Sequence, residues 1–502
     1  MSFGFGFALP AYPLRGGTGN NPFNQLGPTL DLSFTGVVTD LTDPNGYTLN
    51  TDFIIPQYQI AAQYVVWETG VGLVDKTFSQ IITFTRASTA TYFDSAGVLQ
   101  SAAIDAPRLD YNPSTLAAQG FLIEEARTNS LPRSEEFSDA SWTKGGATVT
   151  ADSTTAPSGT ATADTLVEDT STGQHRVYRS VSGTTNTNPY TYSIFAKAST
   201  RTRVYVGIAE GTTFVRQGNA VFDLSAGIVV SAGGGSGGAT GGSATIQNVG
   251  NGWYRCTYTL TLGGTDTTIF GDINLVSTGT TISYTGNGTA GLFIWGAQLE
   301  AGAFATSYIP TTTTALTRSA DVASVNTLSP WYNATASTLY TEFNTPVPTT
   351  VTNSAVVAGY DDGTANNRFS NFYTSNTGAV NTIQVTGGAT NYTISAVTGL
   401  ALSNVQKQAT RFQAGSYASS ANGAAAVTDS FASAPPTVNT LRFGLRPSGT
   451  QANMWLRRVT VYPRGLTNLE LQTITLPAGA TITTQDYSFD SNFTGNTVAI
   501  GS

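Results

Sequence analysis

Two short stretches set aromatic rings beside polar side chains: Tyr360-Asp361-Asp362-Gly363 and Asn366-Asn367-Arg368-Phe369. An aromatic ring offers an apolar face for stacking, while Asp, Asn and Arg exchange hydrogen bonds with hydroxyl groups. That is the chemistry of sugar binding. The polar turn residues put both stretches on a loop, and loops at one end of a β-sandwich are a common binding surface. Tyr178 and Tyr190 offer the same chemistry, as do Trp142, Trp253, Trp295, Trp331 and Tyr373. The same ring types also supply most of the buried area of β cores. Trp253 and Trp295, beside strand-like runs, are expected there.

Asp361, Asp362 and Asn366 are hard oxygen donors that could hold calcium, although they do not follow the EF-hand pattern and also make an ordinary turn. Hydrolysis of a polysaccharide needs two carboxylates on either side of one bond. Glu124/Glu125 and Glu135/Glu136 are adjacent pairs, and neighbours on a strand point to opposite faces. No catalytic residue is therefore assigned, and the chain is read as non-enzymatic. The single histidine, in Gln174-His175-Arg176, is expected in a loop or at the surface. The single cysteine, Cys256, lies on the apolar side of a strand and is expected to be a small buried hydrophobe. The glycine-rich run Gly233–Gly242 lacks the Lys-Ser/Thr of a phosphate loop and reads as a hairpin tip or linker.

Composition narrows the class. Of 502 residues only 11% are charged, with 23 Lys+Arg against 31 Asp+Glu and a net charge of −8. Average globular chains are roughly a quarter charged. Polarity comes instead from Thr, Ser, Asn and 53 glycines. An acidic chain without a basic cluster is expected not to bind nucleic acid. The absence of a long apolar run gives no expectation of membrane insertion, and the Met-Ser-Phe-Gly start does not have the form of a secretory signal. One cysteine excludes an internal disulfide, and one histidine leaves little room for His-based catalysis or metal binding.

The elements that must position these residues are strands. Tyr254 to Leu262 alternates, with Cys256, Tyr258, Leu260 and Leu262 on one face and Arg255, Thr257, Thr259 and Thr261 on the other. Thr191–Ala198 and Arg203–Ile208 repeat the pattern. Helix signals are few: Thr467-Asn468-Leu469-Glu470 matches a capping box, so a short helix is predicted over 467–473. Five segments follow: an extended N-terminal arm over 1–80, β-hairpins over 81–132, strand-rich modules over 133–325 and 326–475, and a tail over 476–502. Phe84-Thr85-Arg86-Ala87-Ser88 is echoed by Leu316-Thr317-Arg318-Ser319-Ala320, flanking the first module.

The run Ile82-Thr83-Phe84-Thr85-Arg86-Ala87-Ser88-Thr89-Ala90-Thr91-Tyr92-Phe93-Asp94 is followed by Ala106-Pro107-Arg108 and Glu124-Glu125-Ala126-Arg127-Thr128-Asn129. It closes with Gly296-Ala297-Gln298-Leu299-Glu300-Ala301-Gly302 and continues to Thr311. In order and spacing these elements resemble a signature of tailed-bacteriophage virion proteins, over about residues 81–325. The later stretch Leu441–Gly444 with Trp455–Tyr462 and Leu466-Thr467 is similar to the end of a laminin-G or concanavalin A-like sandwich. The resemblance implies an all-β fold of tandem antiparallel β-sandwiches (jelly rolls), the first carbohydrate-binding-like, behind an N-terminal docking segment. It further implies a non-enzymatic tail fibre or spike, with capsid decoration or head fibre as one alternative and capsule depolymerase as another. The implied partners are other virion proteins, through residues 1–80, and a host cell-surface glycan. A homotrimer in the virion follows from the same resemblance.

Overall fold

The structure, a computed structural model, describes residues 30–33, 63–68, 72–183, 188–211, 215–329 and 331–477. Most of the expected N-terminal arm and nearly all of the 476–502 tail lie outside the described residues. The fold is all-β, built from antiparallel sheets that pair into two sandwiches. Among the described residues, no helix is long and apolar enough to cross a membrane.

The first sandwich packs two six-stranded sheets face to face. Sheet I runs Thr143–Gly145, Arg176–Ser182, Thr268–Leu275, Arg203–Glu210, Gln217–Asp223, Ile228–Ala232. Sheet II runs Ala147–Thr154, Ala163–Glu168, Gly291–Ala301, Pro189–Lys197, Trp253–Thr261, Thr240–Asn248. Val177, Val206 and Ile273 from sheet I meet Ile194, Cys256, Tyr258 and Leu260 from sheet II in one core. The alternation read over 254–262 therefore faces as expected, and Cys256 is a buried free thiol. The glycine-rich run carries the chain from sheet I, at Ala232, to sheet II, at Thr240, as a linker rather than a tip.

The second sandwich is assembled from chain on both sides of the first. In its ten-stranded sheet III, Ala336–Asn344 lies between Met454–Tyr462 and Gln406–Gln413, and Ala118–Ile123 joins the Met454–Tyr462 strand. In seven-stranded sheet IV, Thr83–Thr85 pairs with Val322–Val325. Segment 81–132, expected as hairpins, does hold two, Ala90–Phe93 with Leu99–Ala102 and Leu109–Tyr111 with Ala118–Ile123, but it is no separate unit: the second hairpin belongs to sheet III and Thr83–Thr85 to sheet IV. The first sandwich is an insertion. Behind sheet III, the short helix Asn468–Ile474 buries Leu471 and Ile474; Thr467 accepts from Glu470 N, and the Glu470 carboxylate reaches back to Thr467 N, as the capping box predicted.

The insertion point is closed by strand Arg127–Asn129 pairing with Leu316–Arg318, and by a buried ionic cluster. Arg108 spans Glu124 at 2.7 Å and Asp321 at 2.6 Å; Arg86 lies 3.1 Å from Asp321, and Arg318 lies 2.9 Å from Glu124. All five residues are buried. The two echoed motifs each contribute their arginine to this one site, which explains the echo. Asn129 adds a second lock: its amide donates to the carbonyls of Ala297 and Ile309 and its oxygen accepts from Leu131 N and Leu299 N.

Candidate functional site

Of the nine aromatics weighed above, only Tyr178 and Tyr190 keep partial exposure. Tyr360 and Phe369, expected on a binding loop, are buried in the second core with their rings 4.8 Å apart. Both sit on strands, Ser354–Asp361 and Arg368–Thr374, at positions where the side chain points inward. Only the turn between them is exposed. Asp361 is buried and lies 2.8 Å from Arg442. Asp362 accepts from Thr364 and Asn367, and Arg368 donates to the Ala365 carbonyl. The loop carboxylates are thus engaged in holding the turn, and the exposed Asn366 hydrogen-bonds within it through its backbone. Among the described residues no cluster of three His, Cys, Asp or Glu side chains could hold a metal ion.

Trp253 and Trp295 are buried, as expected, but against the outer side of sheet II, where Phe195, Tyr308 and Leu99 cover them. His175 is also buried, not at the surface. Its two ring nitrogens face the carbonyls of Gly146 at 2.5 Å and Tyr284 at 3.1 Å, which ties the small ribbon Thr172–Gln174/Ser283–Thr285 to the sandwich. Glu124 belongs to the ionic cluster. Burial alone would raise its carboxyl, but Arg318, Arg108 and two hydrogen bonds from Ser307 outweigh that and bring it down to about 2. Tyr190, half-buried on sheet II, packs against the first core and is not brought near Tyr178.

Tyr178 leads to a different site. Since Val177, Val206 and Ile273 face the core, their neighbours along each strand face away from it. Register lines these up in two rows across sheet I. One row is Tyr178, Asp272, Gly207, Asn219; the other is Arg176, Asn274, Tyr205, Val221. Arg176 lies 3.3 Å from Asp272 and stacks 4.5 Å over the Tyr178 ring. The Asn274 amide donates to Asp272 Oδ2 at 2.8 Å. Asp272 Oδ1 and Asn274 Oδ1 are shut from solvent and take no hydrogen bond of ordinary geometry, although the Ile273 N–H lies close enough to the Asp272 carboxylate to favour its ionised form. Burial raises the Asp272 carboxyl to about 6, with Arg176 and Asn274 opposing the shift. At Gly207 a Cβ would come 2.7 Å from the Tyr205 ring, so the absent side chain leaves room for that ring to lie along the face.

The face therefore carries two half-buried phenol rings, a guanidinium and two oxygens without a hydrogen bond of ordinary geometry. Unpaired buried acceptors are rare, and each costs about 1–3 kcal/mol. The sequence signal was present in Thr268–Leu275: Ile269, Ile273 and Leu275 point inward, and Asp272 and Asn274 alternate with them.

No protein-family model matches the chain, and no curated protein matches it. Among solved structures, the Ruminococcus gnavus IT-sialidase CBM40 bound to α2,3-sialyllactose is similar at 19% identity, over 28% of this chain and 84% of that one, with a TM-score of 0.25. Domains LG4-5 of the mouse laminin α1 chain give 9% identity over 60% and 90%, with a TM-score of 0.20. A Trypanosoma rangeli sialidase in complex with 2,3-difluorosialic acid gives 12% over 83% and 68%, with a TM-score of 0.25. Scores this low carry no argument about ligand or activity.

Proposed function

We propose that the chain is a non-enzymatic structural protein of a tailed-phage particle, a tail fibre or spike whose first sandwich offers sheet I to a host-surface glycan. The observation that carries the glycan reading is the oxygen pair left short of well-placed donors, Asp272 Oδ1 and Asn274 Oδ1, beside Tyr178 and Tyr205. Neighbouring sugar hydroxyls are donors of the right kind, and the C–H face of a pyranose suits a phenol ring. Entry requires the Tyr205 ring to swing off the Gly207 position. The virion reading is supported by the ordered motifs over 81–325, and their charged residues serve as a structural joint. Repeated subunits, a trimer in this reading, would turn weak single contacts into strong attachment.

The test has two parts. Purified full-length protein is screened against host-surface polysaccharides alongside Asp272→Ala; the reading expects saturable binding that the variant loses, and binding unaffected by the substitution overturns the sheet I assignment. Antibody against the chain is then imaged on particles. Label on the tail supports the fibre or spike role, and label around the head refutes it in favour of capsid decoration.

A further inference from the structure

A cavity of about 330 Å³ lies away from sheet I, beside the strands that the 81–132 segment gives to the second sandwich. Three aromatic residues line it: Phe78, Tyr92 and Tyr111. Pro107 and Leu109 complete the apolar wall, and Asp94 with Ser95 supplies the polar part. The elements fix these groups well. Leu109 and Tyr111 share one face of strand Leu109–Tyr111, while Asp110 between them turns to the opposite side and accepts from Trp455 at 2.7 Å. The Phe78 ring packs edge-on against Phe84 and Phe121. Asp94 is held by Ala96 N and Val98 N at 2.9 Å on one oxygen and by Gln100 at 2.8 Å on the other.

Among the described residues, Asp94 is the only charged residue of the lining, and no basic side chain of theirs offsets it there. The Tyr92 phenol is pushed up by burial, and the nearby carboxylates of Asp94 and Asp110 push it further, as a negative local field would. Aromatic faces attract cations through their quadrupole. A primary ammonium would bring three N–H donors that need acceptors, and the lining offers side-chain acceptors mainly at Asp94 and Ser95. A quaternary ammonium brings none, and its methyl groups suit the aromatic and aliphatic wall.

We propose that this cavity binds a quaternary ammonium group of the choline type, with the cation against Phe78, Tyr92 and Tyr111 and its charge balanced by Asp94. The site is independent of the glycan face on sheet I.

Calorimetric titration of the full-length protein with choline, with ethanolamine and with 3,3-dimethyl-1-butanol (the uncharged isostere of choline) tests it. Choline is expected to bind saturably and roughly tenfold more tightly than the isostere. Ethanolamine should bind more weakly than choline. Asp94→Asn, which keeps the oxygen that holds the turn, should weaken choline binding several-fold and leave the isostere unchanged. Tyr92→Leu should remove the preference for the charged ligand, with thermal unfolding run on both variants to establish that they fold. Equal affinity for choline and the isostere overturns the proposal, as does tighter binding of ethanolamine or no saturable binding of choline.

Discussion

Replacing Asp321 by Asn is the most direct probe of how the two sandwiches are joined. Asp321 takes Arg86 at 3.1 Å, Arg108 at 2.6 Å and the backbone N–H of Glu124 at 2.9 Å, all out of contact with water. The cluster holds three guanidinium groups and two carboxylates, a net charge of +1. Asp321→Asn keeps the shape, raises that excess to +2 and turns an amide toward a guanidinium. Breaking a buried ion pair by removing one partner costs about 3–5 kcal/mol. For a unit of 150–250 residues, each kcal/mol moves the midpoint by about 2–4 °C, so a drop on the order of 10 °C is expected. Differential scanning calorimetry should place that drop in the transition of the second sandwich, whose two sheets both border the cluster. The first sandwich, with a core of its own, should move less. Added salt should not restore the loss, because buried charges are poorly screened. Asp152→Asn, an exposed residue at a positive φ that Asn also suits, serves as the control and should stay within about 0.5 kcal/mol of the parent. A shift for Asp321→Asn no larger than that of the control would refute the reasoning.

Three further outcomes are expected. Burial raises Asp110 and Asp272 to about 6, so each stabilises the fold while protonated, fully below about pH 4 and no longer once the pH has risen past 6. Stability should therefore rise between pH 7 and pH 5 by about 1.4 kcal/mol per acid, taking the melting midpoint up with it, and Asp272→Asn should flatten the slope; a midpoint that falls over this range would contradict it. Below that range Glu124, held down at about 2, reverses the trend, since its ionised form is the stabilising one. His175→Leu removes the ring N–H that a neutral imidazole donates to one of the two facing carbonyls, at about 1–3 kcal/mol, and hydrogen exchange should speed up in Thr172–Gln174 and Ser283–Thr285 before the rest of the sandwich. Thr467→Ala removes the oxygen that accepts from Glu470 N and should cost about 1 kcal/mol by denaturant titration, without altering binding.

What could be read from the sequence was what short-range chemistry decides. The alternation through Cys256, Tyr258 and Leu260 marked both the strand and its buried face. The capping box at Thr467 and Glu470 marked the helix, because both partners lie within one turn. Thr83–Thr85 pairs with a strand more than 200 residues away, and so does Ala118–Ile123 beyond its local hairpin with Leu109–Tyr111; nothing local announces these distant partners. Tyr360 and Phe369 were misread for a related reason. Asp361-Asp362-Gly363 correctly marks a turn, but the rings beside it belong to strands whose inward positions continue through Asn371 and Tyr373. On sheet I, Tyr178 was legible as a residue type, whereas its place beside Asp272 depends on a register that pairs strands far apart in sequence.

The nested order of the chain also sets a schedule for its synthesis. Strand Thr83–Thr85 emerges from the ribosome long before its partner Val322–Val325, and Ala118–Ile123 waits longer still for Met454–Tyr462. At about 5–20 residues per second, the first wait lasts roughly 10–50 s. The inserted sandwich has its own core and two complete sheets, so it can fold within that interval and bring Asn129 and Arg318 into position. The early strands meanwhile expose unpaired edges in a crowded cell, where edge-to-edge pairing between nascent copies competes with correct closure. Slowing translation between residues 133 and 454 should therefore lower the soluble yield more than slowing it after residue 462, when both partners have been made.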